Sequence, residues 1–100
     1  MNKKISFYIT AGQVFEAAEI LIEKTKESYK AIEESDLAVR EHEEATLDGN
    51  NAATGMRMEA KIKLQEKICN EANQSRLEYN QKVKDLIMSL DNMIDDFLNK

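Results

Sequence analysis

The sequence predicts an all-α fold, an antiparallel two-helix hairpin that a partner or a second copy completes as a four-helix bundle. Three observations lead there. The 100 residues contain no proline and only three glycines, too few turn formers for a chain of short strands. A seven-residue apolar repeat runs along both halves of the chain and is broken once, at Leu47-Asp48-Gly49-Asn50-Asn51. The apolar stripe in each half is wider than the single seam that two touching helices can bury. At 100 residues the chain has the length of one domain, so residues 1–100 are read as a single helical-hairpin domain.

The first helix is expected over about 10–47. Thr10 followed by Gln13 has the spacing of a capping box, and Ile9 with Val14 flanks it as a hydrophobic staple would. The short apolar run before Thr10 is read as lying across the end of the bundle. From Ala11 the seam passes through Val14, Ala18, Leu21, Thr25, Ser28, Ile32, Ser35, Val39, His42 and Thr46, in alternating steps of three and four. Phe15, Ile22 and Tyr29 widen it in its first half.

The turn is placed at about 48–51, because glycine suits the left-handed position after a helix and asparagine suits the next N-cap. A connection this short favours antiparallel neighbours. The second helix, about 52–98, has its seam at Met58, Ile62, Gln65, Cys69, Ala72, Arg76, Tyr79, Val83, Leu86, Leu90, Met93 and Phe97, with Ile87, Ile94 and Leu98 widening it. Antiparallel pairing brings the two rich halves together, so the core is expected at the open end and weak packing at the turn. Phe15, Ile22, Tyr29, Ile87, Ile94 and Phe97 are the expected partner-binding residues, since two helices alone leave them uncovered.

Composition narrows function mostly by exclusion. Fourteen basic against 19 acidic side chains give a net charge of −5 with no basic patch, which disfavours nucleic acid as a partner. One cysteine cannot form an internal disulfide. No uninterrupted apolar run approaches the ~20 residues that span a bilayer, and Met1 to Ala11 lacks a signal-peptide core followed by a cleavage site. The expectation is a soluble cytoplasmic chain with no membrane insertion, leaving the cell, if it does, by a route that reads the folded protein.

Catalysis is not expected either. His42 stands among Glu41, Glu43 and Glu44, but neighbouring helical residues diverge and cannot supply the three or four converging ligands of a zinc site. Cys69 falls on the seam, where cysteine acts as a small hydrophobe. The adjacent carboxylates Glu33-Glu34, Glu43-Glu44 and Asp95-Asp96 point about 100° apart and read as solvated faces. With no phosphate loop and no hydrolase motif, the chain is read as a non-enzyme requiring no cofactor and no metal.

Two amphipathic helices of similar length joined at Leu47-Asp48-Gly49 resemble the WXG100, or ESAT-6-like, family of type VII secretion. The triplet sits where that family places Trp-x-Gly, with leucine in place of tryptophan, and the likeness covers nearly the whole chain. The resemblance implies a helical hairpin that pairs with another helical protein, such as the N-terminal region of an LXG toxin, and needs no cleavable signal peptide. Secreted members carry Tyr-x-x-x-Asp/Glu or Phe-x-x-x-Asp after the second helix. Here Phe97 is followed by three residues, Tyr79 meets Val83 at that spacing, and Phe15 with Glu19 lies on the first helix. The chain is thus similar to the accessory partner that lacks the export signal. A cytoplasmic coiled-coil adaptor unrelated to secretion is the rival class, and a homodimer is the other way to cover the stripe.

Overall fold

The computed structural model describes residues 2–99. Two α-helices, α1 (Lys3–Leu47) and α2 (Ala52–Leu98), contact each other and run antiparallel, and the described residues contain no strand. The chain divides into two compact units. The first joins α1 up to Ile22 with α2 from Gln74 onward, and the second is Glu23–Asn73.

The turn falls where the glycine and asparagines place it. Gly49 has φ of 79°, a left-handed conformation. Its N–H donates to the Thr46 carbonyl (3.1 Å) and that of Asn50 donates to Ala45 (3.0 Å), the pair of bonds that closes a Schellman motif over the orphan carbonyls of α1. Asn51 then serves as the N-cap of α2, its carbonyl accepting from Gly55 N–H at 2.9 Å. Gly12 has open space where a Cβ would stand and an ordinary helical backbone. Gly12→Ala should therefore stabilise by about 0.8–1 kcal/mol, while Gly49→Ala should cost about 1–2 kcal/mol through its left-handed backbone. Thermal melts of the two variants, moving in opposite directions, check both.

The start of α1 differs from expectation. The helix begins at Lys3, seven residues before Thr10. The cap is Asn2, whose Oδ1 accepts from Lys4 N–H at 2.9 Å and whose carbonyl accepts from Ser6 N–H. Thr10 lies inside the helix and donates back to the Ser6 carbonyl (3.0 Å), so it caps nothing, and Ile9 is exposed on a helical face. The extra turns are held across the pair, where Lys3 bridges to Asp96 at 2.6 Å and Ser6 and Phe7 are half-buried.

The core is not at the open end. In the second unit, Ala31 (5% exposed), Ser35 and Ala38 (4%) are buried, and among the described residues no large hydrophobic side chain is. Labelling the heptad a to g, with the α1 seam at a (Ala18, Thr25, Ile32) and d (Val14, Leu21, Ser28, Ser35, His42), puts Ala31 and Ala38 at g, beside the seam. Each unit packs this g flank inward: Thr10 and Ala17 in the first, Lys24, Ala31, Ala38 and Ala45 in the second. The e flank, carrying Tyr8, Phe15, Ile22 and Tyr29, stays exposed. Small residues let two helix backbones approach, whereas large ones in the same place would hold them apart. Close packing of small groups therefore wins over burial of a few large ones.

The second helix is turned the same way. Thr54, Lys61, Ile68, Ser75, Lys82 and Ser89, its g flank, are half-buried or buried, while the expected seam residues Arg76, Leu90 and Phe97 are exposed. In an antiparallel pair like flanks meet, g with g and e with e. Polar contacts mark the g side in each unit: Lys24–Glu71 (3.3 Å), Lys61–Glu34 (3.2 Å) and Arg57–Glu41 (3.1 Å) in the second, Lys82 to Gln13 (3.5 Å) in the first. The hydrogen bond to Glu71, helped by the charges of Glu27 and Glu71, holds the Lys24 ammonium above its ordinary pKa.

Candidate interaction surface

Polar seam residues are matched one by one. Ser35 donates to Gln65 Oε1 at 2.6 Å, with the Ile32 carbonyl also in reach at 3.0 Å. Near the turn, His42 Nδ1 lies 3.2 Å from Thr54 Oγ1, and that hydroxyl also donates to the Asn51 carbonyl. A Cβ on Gly55 would stand 3.2 Å from His42 Cε1, so glycine is what lets the imidazole lie against α2. His42 is a packing residue at the turn. No adjacent residue signals this use of Gly55, because the close approach depends on a residue 13 positions away.

This contact gives a second stability prediction. In the parent, the helix-propensity gain of Gly55→Ala, about 0.8–1 kcal/mol, should be cancelled by displacement of the imidazole. In a His42→Ala background the same change should show its full gain. A four-protein denaturation cycle measures the difference.

The residues expected to bind a partner are all on exposed surface, but in two places. The first unit holds Phe15 (72% exposed), Ile22, Ile87, Ile94 and Phe97 (77%), together with Tyr8 and Leu90. Tyr29, at the same heptad position as Ile22, belongs to the second unit. In the first unit Tyr8, Phe15 and Ile22 of α1 and Ile87 and Ile94 of α2 occupy the two e flanks, which lie on the same side of the helix pair. Leu90 and Phe97, at position a, border them. That side is apolar, and the opposite one holds a polar-edged groove lined by Gln13, Ala17, Ile20, Ser75, Glu78 and Lys82.

Leu47, the residue in the place of the family tryptophan, ends α1 with its side chain almost wholly exposed, and Asp48 and Gly49 form the turn. The described residues include no group of three or more His, Cys, Asp or Glu side chains placed to hold a metal ion, and Cys69 is half-buried.

Hydropathy adds something the run-length argument passes over. Near its N-terminus α1 contains an 18-residue window of mean hydropathy 1.3, long and apolar enough by length and composition to cross a membrane, and none of it is buried. Glu16 and Glu19 interrupt the stretch from Ile5 to Ile22, so an uninterrupted run never forms. Comparison with protein-family models, curated proteins and solved structures gives no significant match.

Proposed function

We propose that this chain is a binding subunit, a small WXG100-like protein that acts as the targeting or chaperone-like partner of a type VII secretion effector. The apolar side of the first unit carries the reading. Tyr8, Phe15, Ile22, Leu90 and Phe97 expose large side chains on one side of a helix pair that has nothing of its own to cover them. An apolar surface built from several large exposed side chains marks an interaction site. Large side chains at helical spacing suit the apolar face of an amphipathic helix.

The hairpin and its Leu47-Asp48-Gly49 turn support the secretion context through their likeness to WXG100 proteins. In this account the chain shields the helical N-terminal region of a larger effector until export, and the catalytic work, if any, belongs to the effector. Deleting the gene in its native host should abolish secretion of the neighbouring toxin while leaving its synthesis intact. Unchanged export would overturn the secretion role and leave a cytoplasmic coiled-coil adaptor.

A further inference from the structure

The polar-edged groove of the first unit carries groups that nothing in the chain meets. It holds about 330 Å³, the small end of ligand sites, on the side of the helix pair opposite the apolar stripe. Its register is marked by Lys82, whose ammonium stands 3.5 Å from Gln13 Oε1. Four residues on in α1 and four back in α2, Ala17 comes opposite Glu78, and three further Ile20 comes opposite Ser75. In the second unit the heptad positions of Ala17 and Glu78 are held by Lys24 and Glu71, which bond at 3.3 Å. At Ala17 that cation is missing. Glu78, and Glu16 beside it, accordingly make no ion pair among the described residues.

Ser75 adds a second, independent sign. It is 8% exposed, yet its hydroxyl makes no hydrogen bond among the described residues, whereas Ser28, Ser35 and Thr46 each donate to a carbonyl of their own helix. Among the described residues no side-chain nitrogen or oxygen is both sealed from solvent and unpaired, so this hydroxyl is reached from the groove it lines. We propose that the groove is a site for the lysine side chain of a protein partner, its ammonium held by Glu16, Glu78 and Ser75. Three acceptors suit the three N–H donors of an ammonium. Ala17 and Ile20 give the alkyl stem an apolar wall. Lys82, one turn from Glu78, selects against a free diamine, whose second ammonium it repels, and offers a donor to a peptide carbonyl. None of these residues belongs to the stripe assigned to the effector, so the site stands apart from that reading.

Titration of the full chain at constant ionic strength, followed by backbone amide chemical shifts, tests this with Nα-acetyl-lysine N-methylamide as the probe. Saturable shifts are expected at residues 13–20 and 75–82, with a dissociation constant on the order of 1–10 mM for a ligand of this size. Glu78→Gln should weaken binding about tenfold and Ser75→Ala about threefold, with helical circular dichroism unchanged. Ala17→Lys should abolish it, because the chain then supplies the ammonium itself. The Nε-acetylated probe, which has lost its charge, should not saturate. No saturation by about 100 mM of the charged probe, equal binding of its Nε-acetylated form, or shifts indifferent to Glu78→Gln would overturn the proposal. Tighter binding of 1,4-diaminobutane than of the lysine probe would overturn it as well, by making a free amine the ligand.

Discussion

Ala38→Glu should lower the thermal midpoint by on the order of 10–20 °C, while Leu37→Glu, one residue away, should leave it almost unchanged. Ala38 is 4% exposed on the packed flank of α1, and Leu37 faces solvent. A carboxylate forced into that contact must be desolvated beside Lys61 and Arg57, which line the same surface but are already paired with Glu34 and Glu41, or must push the helices apart. Either route costs about 3 kcal/mol or more. With two alanines and two serines as the buried core among the described residues, the fold has little in reserve, about 5 kcal/mol at the low end for 100 residues. Circular dichroism melts of the two variants check this, and a cooperative Ala38→Glu melt within a few degrees of the parent would contradict the packing described.

The second large effect concerns binding. Phe15→Glu combined with Ile22→Glu should weaken association with the effector's helical region by 100-fold or more, an effect of about 2.7 kcal/mol. Helicity should be retained, because both side chains are exposed in the chain alone. Titration calorimetry against the effector's N-terminal region, with circular dichroism of the free variant, reads the two quantities separately. Loss of helicity in step with loss of binding would place these residues in the internal core.

The turn and the span of α2 were legible because their signals are local. Gly49 needs a left-handed backbone, and the asparagines beside it suit a cap, so both can be read from adjacent letters. The seven-residue repeat likewise located seam residues such as Ser35 and Gln65, which meet. The start of α1 was not legible, since Thr10–Gln13 fits a capping box as well as it fits a helix interior. What extends the helix to Lys3 is Asn2 together with Asp96, at the other end of the chain.

The location of the core was misread for a related reason. Hydrophobicity ranks Phe15, Ile22 and Ile87 above Ala31, Ala38 and Ser75, and a sequence pattern weights burial by residue size. Between two helices alone, distance of approach decides instead, so the small flank turned inward. The same choice leaves the large residues of the first unit outside.

The alanine flank of α1 is packed and its large-residue flank is exposed, which leaves that flank open to the proposed partner. Single cysteines at position 22 and at position 38, in a Cys69→Ser background, measure this directly through their rates of reaction with a thiol reagent. In the chain alone the thiol at 22 should react at least about tenfold faster than that at 38, and adding the effector's helical region should slow the reaction at 22 while leaving 38 as it was. Equal rates at the two positions, or a thiol at 22 already protected before any partner is added, would contradict the account.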